Sequence, residues 1–176
     1  MFFWKIAIIM THWDKVILVN DLDIEIGEKD KLQAHLDGDL HRAFSIFIFN
    51  SNNEILLQKR SNLKYHSAGL WTNTCCSHPQ AGSTMEECLE SRLKIEMGMT
   101  CDLEPWFTFK YWVEFENGLI EHEFDHVFKG KSDDLPVINP AEVSDYKYMS
   151  VEHLRAELLN NSDHYTAWLK LIINKL

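Results

Sequence analysis

The sequence predicts an α/β fold, and three stretches carry that prediction. Phe44-Ser45-Ile46-Phe47-Ile48-Phe49 is apolar at both alternating positions, as a central strand covered on each face requires. Asn117-Gly118 lies between two alternating runs and marks a tight antiparallel hairpin. Ser83-Thr84-Met85-Glu86 reads as a capping box that opens a helix ending at Gly98. At 176 residues the chain is expected to fold around one core large enough to need no covalent staples.

In chain order, Phe2-Phe3-Trp4-Lys5-Ile6-Ala7-Ile8-Ile9 is apolar but too short to span a bilayer, and no small-residue cleavage site follows it. Residues 1–13 are expected to form an extension, with Met10 as an alternative start, and residues 14–176 a single domain. The rival reading of the extension is a membrane-surface anchor. Residues 15–20 make a short strand ended by a polar turn at 21–23, after which the chain turns acidic and irregular as far as His41. The central strand reverses at Ser51-Asn52-Asn53, and residues 54–59 return as its hairpin partner. The end of that partner delivers Lys59, Arg60 and, after a loop, Lys64 toward the segment around Cys76.

The helix over 84–97 takes Ser83 as its N-cap, with Glu86 reaching back. Met85, Leu89, Leu93 and Met97 form its apolar stripe, and Arg92 and Glu96 share that face, where charges need a reason. Residues 106–115 and 119–128 flank the hairpin turn, and alternation puts Glu121, Glu123 and Asp125 on one face. Residues 132–140 read as a surface loop. Helices over 151–160 and 164–175 close the chain, the second with Trp168, Leu169, Leu171 and Ile172 available to pack.

A net charge of −10 argues against a nucleic-acid surface, although a small anion can still bind where the few cations cluster. Of Cys75, Cys76, Cys88 and Cys101, two are adjacent, which is no disulfide framework; a reducing, cytoplasmic location is expected. Trp71-Thr72-Asn73-Thr74-Cys75-Cys76-Ser77-His78-Pro79 concentrates thiols, an imidazole and an indole. On an extended segment Cys76 and His78 project to the same side, which suits nucleophilic or proton-transfer chemistry, while Cys75, Cys88 and Cys101 read as small buried hydrophobes. Side-by-side carboxylates on one strand repel unless exposed or neutralised. Glu121 and Glu123 with His35, His41 and His78 would make a nitrogen and oxygen site for a divalent transition metal; a solvated acidic strand with unrelated histidines is the alternative. Lys31, Arg60, Lys64 and Arg92 would form a local anion site, with Glu96 holding Mg²⁺ against the same anion, an arrangement suited to a diphosphate. The plainer alternative is an i,i+4 ion pair between Arg92 and Glu96.

Together, Leu40-His41-Arg42-Ala43-Phe44-Ser45, the segment from Trp71 to Pro79, Glu121-His122-Glu123 and the helix ending Glu96-Met97-Gly98 resemble type I isopentenyl-diphosphate isomerase, in order and in spacing. The resemblance runs from about Lys15 to the final helix. It implies a Nudix-like α/β/α sandwich with a mixed central sheet and the interconversion of isopentenyl and dimethylallyl diphosphate. It implies Cys76 and Glu123 as the two proton-transfer groups, assisted by Tyr111, and metal ligands at His35, His41, His78, Glu121 and Glu123. The diphosphate would lie against Lys31, Arg60, Lys64, Ser77, Arg92 and Mg²⁺ held by Glu96. Trp168 would face the carbocation, with Trp71 or a core role for Trp168 as alternatives. The His and Glu site would take Zn²⁺, Mn²⁺ or a second Mg²⁺, and no flavin is expected. The implied partner is a small diphosphate, with no nucleic acid and no stable membrane insertion, for a monomeric enzyme.

A Nudix hydrolase of a nucleoside diphosphate derivative is the competing enzyme. Its box needs several helix glutamates, and Ser91-Arg92-Leu93-Lys94-Ile95-Glu96 keeps only Glu96, which disfavours hydrolysis. A non-catalytic, metal-stabilised binding module would leave Cys76, Tyr111 and the cations without a purpose.

Overall fold

The structure is a computed structural model that describes residues 15–176. The expected extension, with its alternative start or anchor role, lies outside the described residues.

The sheet is organised on β3 (His41–Phe49). β8 (Ile120–Lys131) runs parallel to it along its whole length, from His41 opposite Glu123 to Phe49 opposite Lys131. Its antiparallel pairings are taken in succession by β1 (Lys15–Val19) at His41, β6 (Cys75–Ser77) at residues 44–46 and β4 (Glu54–Arg60) at Phe49. The sheet is therefore mixed, as expected. Both faces of β3 are buried: Phe44, Ile46 and Ile48 join one core, and Phe47 the other.

The first core is closed by α2 (Met85–Met97) through Cys88, Leu89, Leu93 and Met97. The second is closed by α3 (Val151–Asn160) and α4 (Ala167–Ile173) through Leu154, Trp168, Leu169 and Ile172. One helical layer thus lies on each side of the sheet. No helix among the described residues is long and apolar enough to cross a membrane.

Several elements differ from the expectation. The stretch before His41 is ordered as β2 (Glu25–Asp30), paired with β1, followed by α1 (Lys31–Asp37). β2 is an edge strand exposed along most of its length, so it carries no apolar alternation. The seven-residue α1 is fixed by its ends: the Asp30 side chain accepts from the Gln33 amide, and Gly38 closes it at φ 70°. In α2 the capping box is one residue later than expected, between Thr84 and Glu87, with Gly98 as the left-handed cap as read. The hairpin between β7 (Leu103–Glu114) and β8 has a three-residue loop, Glu116-Asn117-Gly118, closed by the Phe115 amide on the Leu119 carbonyl at 2.9 Å. The last helix begins at Ala167, after a 3₁₀ turn over Ser162–His164. β9 (Val143–Ser150), which sequence reading left unassigned, pairs with the length of β4.

β9 matters because β3 and β4 form a hairpin that pairs at one position and then splays. The segment Thr72-Asn73-Thr74 fills the fork. Thr74 Oγ1 accepts from the Ile48 amide at 2.9 Å and donates to the Leu56 carbonyl at 2.7 Å, so it bridges the separated strands. Asn73 Nδ2 donates to the Ile46 and Cys75 carbonyls at 3.1 and 2.7 Å. Short β5 (Trp71–Thr72) pairs with β4 ahead of the fork and β6 pairs with β3 beyond it.

Thr74→Val keeps the shape but strands a buried amide and a buried carbonyl, and should cost about 2–4 kcal/mol. Urea unfolding should show a lower midpoint with an unchanged slope; a loss below about 0.5 kcal/mol would mean the bridge is dispensable.

Candidate active site

One face of the sheet places the chemistry. Cys76 lies opposite Ser45 on β3, and Glu123 opposite His41, so alternation sends Ser45, His41, Cys76 and Glu123 to the same side. Tyr111 on β7 pairs with Glu123 and joins them. Cys75 faces the other way, into the core beneath α2.

His35, His41, His78 and Glu123 converge so closely that one ligand atom from each lies within 4.8 Å of all the others, and all four are buried. His35 arrives on α1 with Nδ1 2.7 Å from the Lys31 carbonyl, and His41 has Nδ1 2.8 Å from the Asp39 carbonyl. Those contacts set the tautomer, with the proton on Nδ1 and a lone pair on Nε2. The Nε2 atoms of His35 and His41 and Nδ1 of His78 are buried without a hydrogen-bond partner. Burial lowers the His35 pKa to about 4, with His41 adding to the effect, so its imidazole is neutral and ready to ligate. Orphaned imidazole nitrogens around a carboxylate fit a divalent metal ion, and this donor set could hold one.

Glu121 and Glu123 are driven apart. Burial works against charge on both. Glu121 is raised further by its neighbour Glu123, whereas at Glu123 the hydrogen bond from His78 works against burial and the carboxyl lies well below its usual range. His78 Nε2 is 3.0 Å from Glu123 Oε1. The Tyr111 hydroxyl donates to Glu123 Oε2 at 2.6 Å and lies 3.3 Å from Glu121 Oε2. Glu121 therefore stands beside the four-residue cluster through Tyr111.

Cys76, Tyr111, Glu121 and Glu123 line a small cavity together with Lys31, Arg60, Lys64, Ser77, His78, Arg92 and Trp168. Burial lowers Lys31 to about 8, and the neighbouring Lys64, Arg92 and Arg60 add to the effect. Burial pushes the Cys76 thiol up to about 12, which keeps it protonated at neutral pH and unsuited to act as a free thiolate. Arg60 is committed differently from the expectation. Its Nε and one terminal nitrogen donate to the Ser67 and His66 carbonyls at 3.2 and 3.1 Å, and its guanidinium lies 5.2 Å from the Trp168 ring centre. It clamps the loop after β4 as well as facing the cavity. Trp168 is buried and its Nε1 donates to Asn73 Oδ1 at 3.2 Å, so the fork segment sets its position. Trp71 instead lies 4.1 Å from the Lys147 ammonium.

Glu96 is apart from the histidine cluster. It is buried on α2, accepts from Gln58 Nε2 at 2.8 Å and pairs with Arg92. Sequence reasoning missed His66, Tyr65 and Ser45, which also line the cavity. His66 Nδ1 is 3.7 Å from Glu121 Oε1, and its ring packs 5.6 Å from Phe115 and 6.1 Å from Trp168. The signal for Tyr65 and His66 was proximity to Lys64 in a loop whose path the sequence does not fix, and Ser45 was read only as part of the central strand.

A NUDIX domain model matches residues 39–169. The isopentenyl-diphosphate Delta-isomerase of Pectobacterium atrosepticum is 45% identical over 162 residues, covering 92% of this chain and 90% of that protein. Isopentenyl-diphosphate Delta-isomerase 2 of Photorhabdus laumondii is 50% identical, covering 92% and 91%. A crystal structure from Deinococcus radiodurans superposes with a TM-score of 0.74 at 20% identity, covering 92% of this chain and 98% of that one, a likeness of fold.

The depressed His35 pKa has a consequence for the metal-free protein. As pH falls below the ordinary value of 6.5, the unfolded chain binds the proton first, so stability present above 6.5 is lost progressively toward pH 4. Chelator-treated protein unfolded in urea should be about 2 kcal/mol less stable at pH 5 than at pH 7 from this group. His35→Asn should flatten that slope, and an unchanged slope would refute the assignment.

Proposed function

Because the chain belongs to the isopentenyl-diphosphate Delta-isomerase family, within the NUDIX domain family, we propose that it interconverts isopentenyl and dimethylallyl diphosphate by moving the carbon-carbon double bond. The observation that carries the reading is the pairing of a protonated thiol, Cys76, with an ionised carboxylate, Glu123, in one buried cavity. They stand on β6 and β8, strands that pair with the same residues of β3 and so flank it from its two edges.

An alkene is a very weak base. Adding a proton to its terminal carbon gives a tertiary carbocation, and removing an allylic proton from the other side completes the shift, so two groups facing each other across a water-poor site are needed. Cys76 and Glu123 are those groups, one in each protonation state. Tyr111, bonded to Glu123, relays its proton. The Trp168 indole steadies the cation without trapping it as a nucleophile would. Lys31, Lys64, Arg92 and Ser77 receive the diphosphate, with Arg60 contributing while it holds the loop. Glu96, beside Arg92, would hold the Mg²⁺ that accompanies that diphosphate. His35, His41, His78 and Glu123, with Glu121 beside them, would hold Zn²⁺, Mn²⁺ or a second Mg²⁺. When bound, such an ion would supply positive charge beside the Glu123 carboxyl. The reading places the whole reaction in a single domain over 14–176. Hydrolysis of a nucleoside diphosphate is disfavoured because Arg92, paired with Glu96, stands where such a box needs another carboxylate.

Purified protein with Mg²⁺ should convert isopentenyl diphosphate to dimethylallyl diphosphate and incorporate deuterium from heavy water; release of inorganic phosphate without isomerisation would overturn the reading. Cys76→Ala and Glu123→Gln should each lower turnover by about 10²–10⁴-fold or more, whereas Cys75→Ala should stay within a few-fold of the parent. Equal losses at both cysteines would reverse the choice between the adjacent thiols.

A further inference from the structure

Residues 132–140, expected to be a surface loop, run on to Glu142, and the segment is fastened at its middle and at its end. Val137 and Asn139 amides donate to the Met97 and Glu96 carbonyls at 2.8 and 2.9 Å, which caps α2 beside Glu96. At its end the Ser61 amide donates to the Glu142 carbonyl at 2.9 Å, just past β4. Held this way, the loop delivers the Glu142 carboxylate between two of the cations that line the cavity. It pairs with Lys64 and lies 3.6 Å from Arg92. Its side chain is 23% exposed, and Lys64 and Arg92 hold the carboxyl below its usual range despite burial.

We propose that Glu142 is an internal competitor for the diphosphate site, a carboxylate that keeps Lys64 and Arg92 directed inward and that the incoming anion must displace. The inference rests on the diphosphate reading above. Two long cationic side chains lose substantial rotamer freedom when held in one place, and a fixed carboxylate holds them without being consumed. The same carboxylate repels the polyphosphate and competes for its donors, so it weakens binding and hastens departure. Glu142 is thus a positioning residue for the anion-binding cations, with a sign opposite to that of an ordinary ligand.

Inorganic diphosphate titrated calorimetrically into the full chain, with and without Mg²⁺, tests this. Glu142→Gln should tighten diphosphate by about five- to tenfold under both conditions, through slower dissociation in stopped-flow chase. In a Lys64→Met background the same substitution should have a much smaller effect. Weaker binding in Glu142→Gln would overturn the proposal by making Glu142 a helper, and weakening confined to Mg²⁺ would make it a metal ligand. Unchanged thermal unfolding of Glu142→Gln separates these outcomes from misfolding. Parent protein that binds no diphosphate would instead refute the functional reading itself.

Discussion

The structure depends on three consecutive polar residues set in the fork where β3 and β4 separate. Asn73 satisfies its full hydrogen-bonding capacity there: two donors to the Ile46 and Cys75 carbonyls, and an acceptor shared by Thr72 Oγ1 and Trp168 Nε1. Thr72 Oγ1 also accepts from Thr166 Oγ1 at 3.0 Å, and the Thr166 amide donates to the Trp71 carbonyl. Thr74 bridges the strands, and its carbonyl accepts from Gln58 Nε2, which also reaches Glu96. A buried polar network with every member paired is rigid, and this one fixes Cys76, Trp168 and Glu96 relative to each other although they lie on three different elements.

The site inverts the usual logic of a sheet face. Glu121, Glu123, His66, His78 and four cations, Lys31, Arg60, Lys64 and Arg92, line one cavity, with Asp125, His35 and His41 buried close behind it. His78 helps hold Glu123 below its usual range, while burial and then Glu123 push Glu121 and Asp125 toward the neutral form. Asp125 is bonded to Ser45 Oγ at 2.8 Å and leaves Oδ1 unpaired, as a buried carboxyl near another negative charge is expected to tolerate only when neutral. Neighbouring carboxylates thus occupy different protonation states on a single strand, which is what separates an acid from a base in a shared pocket.

Much of this was legible beforehand. The two-sided apolar run announced the central strand, and the turn and cap residues announced the hairpin and α2, because these signals depend on residues close in sequence. The face carrying Glu121, Glu123 and Asp125 followed from alternation alone. The ordered stretch before His41 was not legible: α1 is stabilised at its caps and by packing, and β2 is an edge strand whose exposure removes the pattern. The shift of the capping box from Ser83 to Thr84 reflects two adjacent hydroxyl residues that compete for one role, which local sequence does not arbitrate.

The sequence by itself determined the elements, the reactive segment and, through resemblance, the family chemistry. Only the tertiary structure decided which residues meet. His35, His41 and Glu123 come from three separate elements and His78 from the residue just after β6, and their ligand atoms converge within 4.8 Å because parallel pairing of β3 with β8 and the anchoring of α1 impose it. Spacing along a chain constrains a site only where its residues share one helix or strand. Here they do not, so the fold had to supply the distances, the burial and the protonation states.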